Sequence, residues 1–276
     1  MSKSMSHIRV ARARRSSRAS AARAASTFEP GLRLLPRDLE VDARKLYGLL
    51  RTVDDLVDEC DPEAAARVGA MERWANGEPA DTPETRTLSQ LVQRHPFPPA
   101  AILEFCEGMR HDLAGETLTT EADLERYCQQ VGGAIGVILA RMFGSADPGC
   151  GERMAMLGRA FQRTNILRDI DEDHAHGRLY VAKRTIERFG FPTPGAREAL
   201  LRDQIARADR LYDEGLGAIP LLPRGGRSMA VSVSLYREIL RQIERDGYGH
   251  RSGRVTVPGW RMRLLVSRHR LKSTYA

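Results

Sequence analysis

The chain has 276 residues, enough for one large domain, and 42% of them are hydrophobic, enough for a sizeable core. Its net charge of +7 averages unlike parts. Segments 1–28 and 247–276 carry seven Lys/Arg each and no acid, leaving 29–246 with all 36 acidic residues against 29 basic ones, a net −7. An acidic body poor in aromatics (6%) is the reverse of a nucleic-acid binder, which carries basic surface on the folded body and rings to stack bases. The basic ends read instead as surface segments attracted to anions, anionic lipid among them.

Along the chain, 1–25 is Arg-, Ser- and Ala-rich and acid-free, the composition of a disordered tail and also of a transit peptide; it is taken as a tail. From Leu39 to about Cys60 the apolar positions fall at helical spacing. Asp61 is placed to cap the next helix, with Pro62 at its first position. Helices are expected at about 84–95 and 98–114, then from a cap at Thr119 or Thr120 to a stop at Gly144, and at about 150–174, 195–219 and 227–247. The tail reads as a strand-like "RVTVP" and a final helix. No repeat, hairpin signal or domain break appears, so the fold class is all-α, one helical domain over 26–276. Cys60, Cys106, Cys128 and Cys150 form no CxxC pair and read as free buried thiols of a reducing, cytoplasmic compartment. The longest apolar run, "VGGAIGVILA" at 131–140, is too short to span a bilayer, so membrane contact would be peripheral. Oligomeric state is not legible.

Two acidic segments carry the chemistry. In "LLRTVDDLVDEC", Asp54 and Asp58 are four apart and share a helix face with Tyr47 and Arg51, while Asp55 and Glu59 lie on the adjacent face. In "AFQRTNILRDIDEDHAHGRLY", Gln162, Asn165, Asp169 and Asp173 share a face, with Arg168 beside them and Asp171 and Glu172 pointing elsewhere. One such stripe is ordinarily a solvated face. Two of them, set among apolar residues, point to a polar site inside the domain. "DIDED" also resembles the start of a Ca²⁺ loop but fails, with His174 at the sixth position and Tyr180 at the twelfth. Two Asp-x-x-x-Asp helices facing one centre suit Mg²⁺, which takes a few carboxylates and completes its shell with water and phosphate oxygens. Arg51 and Arg168 suit the same phosphates.

These residues resemble the squalene/phytoene synthase family of head-to-head prenyl transferases. "YGLLRTVDDLVDE" and "AFQRTNILRDIDEDHAHGRLYV" look like its two aspartate-rich motifs. "GMRHDL", "ERYCQQVGGAIG" and "SLYREILRQIERDGY" look like its other helices, and the match covers about 26–260. The resemblance implies a class I isoprenoid-synthase bundle around an apolar cavity. It implies two or three Mg²⁺ ions held by Asp54, Asp58, Asn165, Asp169 and Asp173, and diphosphate held by Arg51 and Arg168. Phe28, Tyr47, Tyr127, Gln162 and Tyr236 would line the reacting end. The implied reaction joins two prenyl diphosphates through a cyclopropylcarbinyl diphosphate, most simply two geranylgeranyl diphosphates giving phytoene. Farnesyl diphosphate giving a squalene or dehydrosqualene product, a cyclase acting on one diphosphate, and a non-enzymatic lipid-holding protein are the alternatives. No GxGxxG follows a strand, so NADPH is not expected. Tyr127 and Tyr236 could be plain core residues, and Gly132, Gly133, Ala134 and Gly136 could serve helix packing alone. Two departures stand out. The flap stretch "AASTFEPGLRLLP" lacks the family's Lys and places Pro30 at a helix start, and Ala182 replaces a Pro.

Overall fold

The structure, a computed structural model, describes residues 27–271; segment 1–25 and the boundary at 26 lie outside them. Helices follow one another with no strand among the described residues. They are α1 (27–32), α2 (Arg37–Asp58), α3 (Ala64–Ala75), α4 (Pro83–Arg94), α5 (Pro99–Ala114), α6 (Glu121–Cys128) and α7 (Ala134–Met142). Then come α8 (Pro148–Ala175), α9 (Lys183–Phe189), α10 (Glu198–Gly215), α11 (Gly226–Arg245) and α12 (Gly259–Leu271). The starts are chemically marked. Thr82 with Thr85 and Thr120 with Asp123 form reciprocal caps, and the Asp147 side chain accepts from the Cys150 N–H at 3.0 Å ahead of Pro148.

Several expectations are corrected. The second helix begins at Ala64 rather than Pro62, because the Asp61 carboxylate accepts from the Glu63 N–H at 2.9 Å and caps a preceding turn instead. The helix expected over 195–219 stops at Gly215 and tightens into a 3₁₀ turn, Leu216–Leu221, around Pro220. Residues 254–258 form no strand; one backbone bond, Val255 N–H to the Arg168 carbonyl at 3.2 Å, joins them to the main chain of α8. Three thiols are buried as expected, and burial pushes those of Cys106 and Cys128 up to about 12, but Cys60 is exposed.

Helix α8 is the axis. At 28 residues it spans about 42 Å. It is buried on every side, from Met154 and Leu157 through Phe161 and Thr164 to Leu167 and Ile170. Helices α6 and α7 form one rod against it, joined by a π-helical turn, Gln129–Gly133, that the sequence pattern did not reveal. The extra residue puts Tyr127, Gly132 and Gly136 on the same cavity-lining side. A Cβ on Gly132 would overlap the Gly158 carbonyl, one on Gly158 the Gly132 carbonyl, and one on Gly136 the Met154 carbonyl. The two backbones therefore touch, which only glycine permits. The small-residue stripe serves packing and lines the cavity at once.

Two arginines suture the bundle. Arg163, fully buried on α8, pairs with Glu121 at 3.2 Å and with Glu125, and donates to Gln204, binding α6, α8 and α10 together. Arg197 takes Asp171 through both terminal guanidinium nitrogens (2.6 and 2.8 Å) and donates to the carbonyls of Gly249 and Arg251 at 3.1 Å each. The strap over 247–258 is thereby fastened across the C-terminal end of α8. Among the described residues no helix is long and apolar enough to cross a membrane.

The glycines of α8 give a direct test. Gly158→Ala should cost roughly 1–3 kcal/mol of overpacking. Gly151→Ala, in the same helix with nothing within 4 Å of its added Cβ, should gain roughly 0.5–1 kcal/mol. Urea unfolding followed by circular dichroism measures both, and equal effects would refute the close approach.

Candidate active site

On α2 the inward face is apolar, with Leu39, Leu46, Leu49, Leu50, Val53 and Val57 buried. That packing turns the polar stripe Tyr47, Arg51, Asp54 and Asp58 along the edge of a cavity. Arg51 reaches Asp54 at 2.5 Å and also Asp55 at 2.6 Å, so Asp55, on the adjacent face, is tied to this cluster. Asp58 is paired instead with Arg178, which also donates to the Val57 carbonyl at 3.3 Å. Asp54 keeps 36% of its side-chain surface accessible, but that surface opens on the protein-lined cavity rather than on bulk water. Desolvation first and the charge of Asp58 second push its carboxyl well above the usual range, against the pull of Arg51.

On α8 the second stripe lies opposite. Asn165 donates to the Gln162 side-chain oxygen at 3.4 Å, and its own carbonyl oxygen is buried without a partner. Arg168 grips Asp169 at 2.9 and 2.6 Å, and the same carboxylate meets Arg254, from the strap, at 3.1 Å. Arg254 also reaches Glu172 at 3.3 Å. Burial, then the charges of Asp169 and Asp58, push Asp173 up to about 8. Because Asp58 acts on Asp54, Asp112 and Asp173 alike, the two stripes share one electrostatic field.

Below them lies an apolar cavity of about 260 Å³. Phe28, Tyr47, Arg51, Asp54, Tyr127, Gln162, Asn165 and Tyr236 all line it; Asp58, Arg168, Asp169 and Asp173 do not and stand outside its wall. The ring of Phe28 packs on Tyr236 (centroids 4.5 Å apart), Phe161 (5.6 Å) and Tyr47 (6.3 Å), making α1 a wall of the cavity. Tyr127 and Tyr180 stack at 5.1 Å and both donate to Asp112, at 3.0 and 2.9 Å. Burial raises the hydroxyl pKa of Tyr47, Tyr127, Tyr180 and Tyr236, so these phenols stay protonated. Sequence reasoning missed Asp112, Arg178, Tyr180 and Arg254. All four lay within quoted stretches, Asp112 in "GMRHDL", Arg178 and Tyr180 at the end of the second acidic motif and Arg254 in "RVTVP", but nothing in the helical spacing singled them out.

The residues fit a divalent cation in chemistry rather than in present placement. Among the described residues no three His, Cys, Asp or Glu side chains converge as a ready ligand set; arginines hold Asp54, Asp58 and Asp169. Yet Asp54 and Asp173 are held in a field of like charges, and the Asn165 oxygen has no partner. Oxygen donors in that state are what a hard cation satisfies.

A helical bundle with two facing acidic helices above a largely apolar, aromatic-lined cavity has the form of an isoprenoid synthase. Comparison with known proteins specifies it. The family model for squalene/phytoene synthase matches residues 21–261. The chain is 34% identical over 253 residues to a phytoene synthase of Thermus thermophilus, covering 87% of this chain and 86% of that one. It is 32% identical over 270 residues to a presqualene diphosphate synthase of Zymomonas mobilis, covering 90% of each. A dehydrosqualene synthase crystal structure superposes with a TM-score of 0.80 at 25% identity, covering 95% of this chain and 96% of that one. A squalene synthase from Alicyclobacillus acidocaldarius superposes at 0.72 and 27% identity, covering 88% and 97%. The chain belongs to the squalene/phytoene synthase family. It is a prenyl transferase, and the family's relatives support head-to-head condensation of prenyl diphosphates.

The carboxyl shifts have a consequence for stability. The Asp173 carboxyl ionises near pH 4 in the unfolded chain and at about 8 in the fold. Between those values the folded state binds more protons, so without divalent cation the protein should lose stability as pH rises from about 4 to 8. Urea midpoints across that range in chelator check this, and Asp173→Asn should flatten the slope.

Proposed function

We propose that this enzyme condenses two geranylgeranyl diphosphates, with Mg²⁺, to phytoene. The observation that carries the site assignment is the pairing of the α2 and α8 acidic stripes across the mouth of an apolar cavity, with the Asn165 oxygen unpaired among them. The chain-length assignment is supported by the phytoene synthases among its relatives, such as those of Thermus thermophilus and Synechococcus elongatus. The presqualene diphosphate synthase at 32% identity favours a second reading, farnesyl diphosphate as substrate.

In this reading Asp54 and Asp58 on one side, and Asn165, Asp169 and Asp173 on the other, hold the metal ions. Mg²⁺ would supply Lewis-acid neutralisation of the diphosphate, otherwise a poor leaving group. Arg51 and Arg168 bind the diphosphate oxygens; each keeps a buried guanidinium nitrogen without a partner, Arg51 Nε and Arg168 Nη1, available for an anion. The C1–O bond of one substrate breaks and diphosphate leaves with the bonding pair. The C2–C3 π pair of the second substrate attacks the allylic cation, and loss of a proton closes the cyclopropane. Loss of the second diphosphate, rearrangement and a further proton loss give the linear C1–C1′ product, with no reductant required. The chain contributes an aromatic wall: Phe28 and Phe161, and the neutral phenols of Tyr47, Tyr127 and Tyr236, whose π faces stabilise a cation. Asp112 fixes the orientation of Tyr127.

Incubation with Mg²⁺ and each diphosphate, followed by analysis of extracted hydrocarbons, tests this. A C40 triene core from geranylgeranyl diphosphate is expected. A C30 product from farnesyl diphosphate alone supports the second reading, a cyclic product from one substrate supports a cyclase, and no diphosphate release from either substrate refutes all three. Asp54→Asn and Asp169→Asn should each lower turnover roughly 10²–10³-fold. Independently of turnover, Mg²⁺ with inorganic pyrophosphate should raise the melting temperature of the wild type and leave that of Asp54→Asn unchanged.

A further inference from the structure

Helix α12 ends the described chain and carries no acid. Its inner side lies along α11. The His269 ring nitrogen Nε2 and the Ser234 hydroxyl are 2.7 Å apart, Arg261 donates to the Gln242 side-chain oxygen at 3.3 Å, and Met262, Leu265 and Val266 are half-buried. Its outer side presents Trp260 and Leu264 one turn apart, 57% and 44% exposed, with Arg263 and Arg268 exposed on the same stripe. A lone exposed leucine needs no explanation. A tryptophan and a leucine ringed by cations on one helix face have the chemistry of a helix lying in a lipid interface.

We propose that the outer face of α12 docks the enzyme on an anionic lipid bilayer. Charge complementarity selects that occupant. The 247–276 segment holds seven basic residues and no acid, whereas the 29–246 body is net −7. The body is repelled from an anionic surface while the α12 face is drawn to it, which orients the molecule. A second copy pairing α12 to α12 about a two-fold axis would oppose one basic face with another. The placement also suits the site. Arg254, on Asp169, precedes α12 by five residues, so the strap that crosses the acidic centre leads directly into the docked helix. Substrates with long prenyl tails and a hydrocarbon product would be exchanged with the same bilayer, whichever chain length the enzyme uses.

The test uses the full chain with vesicles of phosphatidylcholine alone and of phosphatidylcholine mixed with phosphatidylglycerol, each with and without brominated acyl chains. Co-sedimentation with the mixed vesicles only is expected. Brominated chains should quench tryptophan fluorescence in the wild type but not in Trp260→Phe, since Trp74 is half-buried and bonded to Ser89 at 2.8 Å. Arg263→Gln with Arg268→Gln should weaken binding roughly thirty-fold. Trp260→Ser with Leu264→Ser should abolish the quench and weaken binding, both pairs keeping wild-type melting temperature and turnover in detergent. Absence of vesicle binding overturns the proposal. So does binding that neither pair weakens, which assigns the attraction to the basic residues of 1–28. A wild-type dimer that the α12 substitutions convert to monomer, with vesicle binding intact, places a second copy on the face and overturns it equally.

Discussion

The structure depends on bringing like charges together at the edge of a low-dielectric cavity. Asp58 stands at the centre of that constraint, its charge felt by Asp54 beside it, by Asp112 on α5 and by Asp173 on α8. Left alone, such carboxylates would repel and draw in water. They are restrained by guanidinium groups from separate elements: Arg51 on α2, Arg168 on α8, Arg178 just beyond α8 and Arg254 on the strap. The scaffold keeps these in place. Glycine contacts fix α8 against the rod of α6 and α7, Arg163 fixes α8 to α6 and α10, and Arg197 fixes the strap to α8.

The arginines are not merely counter-ions. A guanidinium has five donors in a fixed plane, and a carboxylate engages only some of them. Arg51 and Arg168 spend part of their donors on Asp54, Asp55 and Asp169 and keep one buried nitrogen each unsatisfied. An unmet buried donor is a cost that an incoming anion removes. The residues that hold the acidic cluster together are thus pre-set for an anionic ligand, and a cation among the acids would release the arginines further. The same ion pairs describe the resting molecule and the interactions that substrate would exchange.

How much of this the sequence revealed follows from the range of each interaction. The stripes Tyr47–Arg51–Asp54–Asp58 and Gln162–Asn165–Asp169–Asp173 were legible because helical spacing alone decides which side chains share a face. The helix start at Thr120 is local chemistry of the same kind, whereas the caps at Thr82 and Asp147 emerged only with the structure. Arg178 and Arg254 were not legible, since their partners lie 120 and 85 residues away in the chain. Asp55, on the adjacent face, joins the cluster because one arginine a turn earlier spans two neighbouring carboxylates. The π turn at Gln129–Gly133 escaped because apolar spacing around it reads as an uninterrupted helix. "RVTVP" has strand-like residues, but a strand needs a partner, and the strap meets only one carbonyl of α8.

The flap shows how a departure from family pattern can be absorbed. The stretch before α2 lacks the expected lysine, and its first acid, Glu29, is taken up by Arg44 at 2.8 and 2.9 Å and by Arg33 at 2.8 Å. Those pairs hold the Glu29 carboxyl down at about 2 and fasten α1 to α2. Gly31 lets α1 sit against Ser232 and Ser228 of α11, where a Cβ would overlap the Ser232 hydroxyl. Fixed on both sides, α1 delivers Phe28 into the aromatic cluster. In this chain α1 is therefore built as an apolar wall. The positive charge at the cavity mouth comes instead from α2, α8, the turn after α8 and the strap, and the strap that brings Arg254 is continuous with α12, whose exposed face is both aromatic and basic.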